Sequence, residues 1–566
     1  MKKAAMLVAV VMAVGAFGVP SVDAGAVVAP KGGGHGFLKG AVAVDGPAHR
    51  HRYRSLGKVR RVASGHRVTF NVLDRRGRAP ATADAPEVYV TSLDGREWLT
   101  APLNNGTVTG ELPAGDYVVQ VYVVTPDDGG VRSTTLVYLS RYSVRRDGVL
   151  VLDARAARPV SAEVADRPDA RVLTGSAAIV QRIGAETINM ASMDLPNAHL
   201  TPVDDAPGLA LQLHAKLTRD GAESGSPYLF DLARQFDGVP SDPVLRAHTR
   251  DLAAVRTRHT APGPNSCAGG HSGVDWGTGV VFLPYAPVGN LPVTRTEYFT
   301  PGLNWRFSEG VTTTGCDWEN QPPEVTQRAR TFPRPGAYTA TWNNAPFGPA
   351  PGLFRWNPEG DAGSEPDIQV PMLASWGTHA YLARYVPYLT GGTTLYDERG
   401  EVVAATNHPG DGNVLTTPRT GRHRLVVDAR HRAPWTELSS SQRVTWSFDA
   451  PGTAMTAFPL PVVRYDTTLD DHNRARAGTV QPVALAVEQM TPDGRGTAPA
   501  KVEALTLSVS TDDGATWKDV GLRRDGDRWL ARIPSPASGH VSFRSAARTV
   551  EGTSVDQTLV HAYGVR

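Results

Sequence analysis

Two short stretches of this chain have residue types and spacing that suit chemistry. The first is Gly270-His271-Ser272-Gly273 with Asp275, close behind Cys267. Serine beside histidine and aspartate supplies the parts of a nucleophile, base and orienter, and Gly-x-Ser is half of a nucleophile elbow. Val274 stands where the elbow needs its last glycine, and no strand-to-helix context surrounds it. Asp317 and Glu319 follow Cys316, so closing a Cys267–Cys316 bridge would draw these acids toward His271, Ser272 and Asp275. The convergence would suit a hydrolytic or metal site; a stapled surface loop explains the same residues, and no catalytic assignment is made.

The second stretch, Asp470-Asp471-His472-Asn473, offers oxygen ligands for Ca²⁺ but lacks the alternating ligands and fixed glycine of an EF-hand loop. It reads as a polar inter-domain turn, with Ca²⁺ on Asp470 and Asp471 as the alternative, and no other cofactor is expected. Ser510-Thr511-Asp512-Asp513-Gly514-Ala515-Thr516-Trp517 fits the Asp-box pattern, a hairpin turn shaped by Asp and Gly over a packed Trp. A single copy predicts a turn and not a propeller. Of the 11 Trp, residues such as Trp98, Trp276, Trp305, Trp356, Trp376 and Trp435 are candidates for core packing, with carbohydrate stacking as the alternative.

The elements that must position these residues are strands. His66 to Leu73, Glu87 to Val90 and Tyr117 to Val124 alternate or run apolar between turn signals such as Asp74-Arg75-Arg76-Gly77. Leu209, Leu211 and Leu213 mark a strand with one buried face. Asp242 to Arg256, with an N-cap candidate before Pro243, predicts one helix. Val480 to Val487, Ala504 to Ser510, His540 to Arg544 and Gln557 to Tyr563 give the last region the strand density of a fibronectin-type sandwich. The expected fold is therefore mainly β, with serial β-sandwich domains: prealbumin or carboxypeptidase-regulatory-like first, immunoglobulin or fibronectin-like later. The expected boundaries are a signal peptide at 1–24, a basic Gly-rich arm or linker at 25–65 and a small sandwich at 66–165. A β-rich domain with the disulfide follows at 166–355, then sandwiches at 356–452 and 453–566.

Lys2 and Lys3, an apolar run from Ala4 to Val19, and Val22-Asp23-Ala24 before Gly25 form a secretory signal with its cleavage site. The apolar run is shorter than the roughly 20 residues of a spanning helix, so no transmembrane segment is expected after cleavage. The reading is secreted and extracellular. Hydrophobic residues at 41% suffice for cores, 57 Gly and 44 Pro suit many turns, and a net charge of +2 excludes bulk recruitment of nucleic acid. Two cysteines in an oxidising compartment predict a Cys267–Cys316 bridge. It would restrict the unfolded chain by about 4 kcal/mol.

The succession Arg295-Thr296-Glu297-Tyr298, Trp342 through Pro349, Thr394-Leu395-Tyr396, Pro459-Leu460-Pro461 with Leu469-Asp470, Asp512 through Lys518, and Gln557-Thr558-Leu559 to Ala562-Tyr563 resembles the C-terminal accessory region of large secreted actinobacterial subtilisin-like serine peptidases. The peptidase's Asp-Ser/Thr-Gly, His-Gly-Thr and Gly-Thr-Ser-Met-Ala segments do not stand in the sequence, so no catalytic residue carries over. The resemblance implies an exported, non-catalytic binding or scaffold protein, acting on cell-wall polymer or another exported protein. Two alternatives stay open: a secreted serine peptidase or other hydrolase with an unrecognised site near His271, and a partner or inhibitor of a separately encoded exported peptidase.

Overall fold

The computed structural model describes residues 41–43, 53–55 and 65–566, apart from 127–128, 185, 205, 279, 314–323, 357–366, 377–387, 414–420, 451–455 and 492–495. The signal peptide, most of the basic arm, and Cys316, Asp317 and Glu319 lie outside the described residues. Two pieces of the arm are strands: Ala41–Ala43 pairs with Val280–Phe282, and Tyr53–Ser55 with Trp98–Pro102. Among the described residues the protein is built from β-strands, with no α-helix and two three-residue 3-10 turns, Ala154–Ala156 and Thr249–Asp251.

The helix expected over Asp242 to Arg256 is replaced by strands. Val244–Ala247 pairs in parallel with Ser161–Val164, and Ala253–His259 is flanked on both sides, by Val293–Phe299 and Gly336–Trp342. Ala253, Val255, Thr257 and His259 are buried at every second position. That period of two, with ladders on both edges, overrides the local helix-start signal.

The first sandwich sets the three strands Thr107–Pro113, Gly65–Leu73 and Gly148–Asp153 against a seven-stranded sheet containing Gly115–Pro126 and Arg132–Val144. Val68, Phe70 and Val72 meet Tyr117, Val119, Val121 and Val123 in its core. The opposite face is not solvated: Val118, Tyr122, Leu136 and Tyr138 belong to a second core shared with the middle region. The strand Ala198–Leu200, beyond the expected boundary at 165, adds to this same sheet beside Thr134–Leu136.

The middle region has a seven-stranded sheet ordered Glu186–Leu195, Ala170–Ile183, Leu209–Arg219, Tyr228–Asp237, Val293–Phe299, Ala253–His259 and Gly336–Trp342. A four-stranded sheet accompanies it, formed by Tyr285–Asn290, Ser266–Val274, Asn304–Thr313 and Glu324–Thr331. Leu209, Leu211, Leu213 and Leu217 fill the core shared with the first sandwich. The intervening Gln212, His214 and Lys216 are also buried, on the other face.

The C-terminal half is dominated by one nine-stranded sheet. Ser441–Ala450 pairs with Ser554–Val565, so strands from both sides of the expected boundary at 452/453 share one ladder. A single core runs through both, with Trp446 and Phe448 from one side and Phe543 and Tyr563 from the other. The boundary falls inside a continuous sheet because Val555 and Leu559 bury their alternate side chains in that same core.

Candidate functional site

The Ser266–Val274 strand sends successive side chains to opposite faces, and this separates the triad-like residues. Ser272 points inward, where its hydroxyl accepts from Lys216 Nζ and donates to Asp231 Oδ2. Asp231 Oδ1 also meets His214 Nε2, and Lys216 Nζ lies 3.3 Å from Asp231 Oδ2. Cross-strand register explains the grouping, since Lys216 stands directly opposite Asp231. His271, on the other side of the strand, packs 5.2 Å from the Tyr285 ring. Desolvation, and secondly the Lys216 charge, push it down to about 4. Asp275 is engaged by Arg306 Nη2 at 3.0 Å and by the Gly277 N–H at 3.0 Å. Serine, histidine and aspartate are thus in three environments.

The inward group is sealed: Asp231 is 0% exposed, Lys216 2%, Ser272 3% and His214 4%. Burial lowers the Lys216 pKa against the opposing pull of Asp231. For Asp231, burial pushes upward, but Lys216 and His214 outweigh it and hold the carboxyl below its usual range. Lys216 donates to the serine oxygen, so it is not placed as a base; the serine proton goes to Asp231.

A second buried charge group lies where the two sheets meet. His259 Nδ1 is 2.7 Å from Glu309 Oε2 and its Nε2 is 3.4 Å from Glu297 Oε1. Arg295 forks onto Glu297 at 2.8 and 2.9 Å, Thr257 donates to Glu297, and Asn343 donates to Glu309 at 2.7 Å. Burial alone would discharge the imidazole, yet the flanking Glu309 and Glu297 raise it to about 9. Two cations thereby balance two anions.

Asp470 and Asp471 are brought to guanidinium groups. Asp470 Oδ1 accepts the His472 and Arg474 N–H groups at 2.9 Å, and Oδ2 meets Arg566 at 2.6 Å. Asp471 Oδ1 takes Arg258 at 3.1 Å, linking the C-terminal half to the middle region. Asn473 locks the same joint through Ala345 N–H, Asn343 O and Ala261 O at 2.8, 2.9 and 3.1 Å. The Asp-box turn forms as expected, with Gly514 N–H donating to Ser510, Thr516 N–H to Asp512, and Trp517 Nε1 to Gly514 O.

An open cleft of about 890 Å³ lies at one end of the seven-stranded sheet, lined by Trp276, Arg182, Gln212, Gln235, Asp237 and the Ala206 to Gly208 turn. Gln212 Nε2 donates to Gln235 Oε1 at 3.1 Å, while its own Oε1 is buried with no donor among the described residues. The Leu209–Arg219 strand thus presents Gln212 to the cleft and, two positions further each time, His214 and Lys216 to the sealed group. Of the tryptophans, Trp305 is fully buried and Trp435 nearly so, whereas Trp276 is partly exposed at the cleft. Sequence reasoning missed Gln212, His214, Lys216 and Asp231. The available signal was a lone Asp in the apolar run Tyr228-Leu229-Phe230-Asp231-Leu232.

The sheets and their shared cores define a mainly-β, multi-domain protein. No protein-family model and no curated protein matches the chain. Among solved structures, the Bacillus anthracis TIE protein is similar at 9% identity and a TM-score of 0.12, covering 49% of this chain and 51% of that one. Trypsin-activated alpha-2-macroglobulin from Escherichia coli is similar at 11% identity and a TM-score of 0.11, covering 88% and 41%. The chain thus spans about half the length of the first and less of the second. At these scores neither carries an argument about fold detail or function. Among the described residues no helix is long and apolar enough to cross a membrane.

Proposed function

We propose that this chain is an exported, non-catalytic binding protein, related to the accessory region of subtilisin-like peptidases, that holds a hydroxyl-rich polymer such as a cell-wall glycan in the Trp276 cleft. The observation that carries the reading is the cleft itself: an indole beside amides, a guanidinium and a carboxylate, with the Gln212 carbonyl oxygen buried and given no donor among the described residues. An aromatic face gives a sugar ring its apolar contact, and a few placed polar groups orient its hydroxyls. The Cys267–Cys316 pairing and the secreted location belong to the same proposal, and a bridge would brace the strand that leads to Trp276.

The test is co-sedimentation of the full chain with insoluble peptidoglycan, chitin and cellulose, for wild type and Trp276→Ala. Retention on at least one polymer, reduced about tenfold or more in Trp276→Ala, is expected from the stacking contribution. Wild-type protein left wholly in the supernatant with all three would overturn the glycan reading. The Ser272–Asp231 contact favours a second reading, a serine hydrolase, because the Ser272 hydroxyl donates to a carboxylate that would take its proton. Fluorophosphonate labelling that disappears in Ser272→Ala would establish that reading; the sealed geometry predicts no labelling.

A further inference from the structure

Where the Asp-box turn meets the last two strands, ligand-type side chains converge that the cleft does not use. His540 lies in the strand Gly539–Thr549, His561 in Ser554–Val565, Asp513 on the turn, and Glu437 on the loop between Gly421–His431 and Ser441–Ala450. One ligand atom from each of Asp513, His540 and His561 falls within 4.8 Å of the others. The two imidazoles stack with centroids 4.1 Å apart and planes 16° from parallel. Glu437 Oε2 approaches His540 Nε2 to 3.7 Å.

The backbone is bent to achieve this. His561 and Asp513 are non-glycine residues with φ of 59° and 57°, a conformation that L side chains adopt at a cost. The ladder slips between Val541, which faces Tyr563, and Phe543, which faces Leu559. His561 sits in the resulting bulge, and bulges re-aim side chains. Its N–H donates to Ser542 Oγ at 3.0 Å and its carbonyl accepts from Ser439 N–H at 2.9 Å.

The hydrogen-bond partners then fix which imidazole atom faces the cluster. His561 Nδ1 is 3.1 Å from the Glu437 carbonyl oxygen, which only accepts, so Nδ1 carries the proton. In the neutral ring this leaves the Nε2 lone pair directed at Asp513 Oδ1, 2.8 Å away, another acceptor. At this separation the contact is a hydrogen bond, and a cation bound to Nε2 would replace the shared proton once the two atoms part to the spacing of ligands on one ion. A carbonyl holding the far nitrogen of a histidine is the outer support that metal-binding histidines commonly have.

We propose that His540, His561 and Asp513, completed by the Glu437 carboxylate, form a binding site for one divalent transition metal of the zinc class. Two imidazoles with carboxylates suit such an ion, whereas Ca²⁺ and Mg²⁺ prefer all-oxygen sets. Zinc bonds of about 2.0 to 2.2 Å place ligand atoms on one ion roughly 3 to 3.5 Å apart, so only small side-chain rotations are required. The bound ion cross-links the 432–440 loop and the Asp-box turn to the two terminal strands.

The experiment uses full-length protein without a histidine tag, stripped with chelator and dialysed against zinc. Metal is counted by mass spectrometry, and affinity is measured by competition with a chromophoric chelator. One zinc per chain is expected, weakened at least about tenfold in His540→Gln and in His561→Asn, whose Asn tolerates the left-handed backbone. Asp513→Asn, on an exposed turn, provides a variant that leaves both strands intact, with the same direction of effect. Less than one-fifth of a zinc per chain, or wild-type affinity in all three variants, overturns the proposal. Displacement of zinc by a hundredfold excess of Ca²⁺ also overturns it, since that selectivity belongs to an oxygen site.

Discussion

Substituting His259 tests whether the buried His259–Glu297–Glu309–Arg295 group is a balanced set of charges. The imidazole is raised to about 9, against about 6.5 in an unfolded chain. A group raised on folding stabilises fully below its unfolded pKa and loses that contribution as pH climbs through the folded one. The window therefore runs from about pH 6.5 to above 9. The shift corresponds to on the order of 3 kcal/mol across it. His259→Gln leaves two buried carboxylates facing one guanidinium, a loss of about 3 to 5 kcal/mol near neutrality. Urea unfolding followed by tryptophan fluorescence at half-unit pH steps measures both effects, with Trp342 directly opposite His259 in the ladder. Amide exchange of residues 253–259 gives the local counterpart. Wild type is expected to weaken from pH 6.5 to 9.5 while His259→Gln stays nearly level. The control is His248→Gln, where the side chain is 48% exposed and 3.9 Å from Asp166, and it is expected to change little. Equal pH slopes in wild type and His259→Gln, or a loss below about 1 kcal/mol at pH 7, would refute the reasoning.

Lys216→Met leaves Asp231 with His214 as its one basic neighbour among the described residues and is expected to cost about 3 to 5 kcal/mol, while Lys216→Met with Asp231→Leu recovers part of it; calorimetry of the three proteins decides, and equal melting for single and double variants counts against a paired charge. Asn473→Ala removes the acceptor of Ala345 N–H and the donor to two backbone carbonyls at a residue with φ of 58°. The expected loss is about 2 to 4 kcal/mol, read by urea unfolding, and a change below about 0.5 kcal/mol would remove this turn as the joint between the halves. Asp512→Ala should raise proteolytic cutting within 511–517, because the Asp512 carboxylate holds both Thr516 N–H and Thr516 Oγ1; an unchanged cutting pattern would speak against that role.

Local pattern carried the strands well, and the assembly poorly. Leu209, Leu211 and Leu213 announce one buried face, and the Asp-box residues announce their turn, because each signal is complete within a few residues. His214 and Lys216 alternate with those leucines, so they read as the solvated side. Their burial depends on Asp231 across the ladder and on Ser272 from another sheet, 56 positions after Lys216. The run Tyr117 to Val123 did hold a clue, since apolar residues at both parities mean two covered faces. Ser272 was singled out by its neighbours His271 and Asp275, yet strand alternation sends His271 away from it. The helix forecast near Pro243 failed because two flanking strands claim the backbone of Ala253–His259. The shared ladder of Ser441–Ala450 and Ser554–Val565 had no local signal, since pairing partners lie more than a hundred positions apart.

That long-range ladder also dictates an order of events during synthesis. Once Ser441–Ala450 has left the ribosome it can pair with Gly421–His431 on one side only. Its other edge stays open until Ser554–Val565 emerges, about ten seconds later at typical elongation rates. An open edge of alternating Val444, Trp446 and Phe448 is a template for pairing between nascent chains. The half-made protein therefore has a vulnerable interval that the finished one lacks, and a holding chaperone would act on it then.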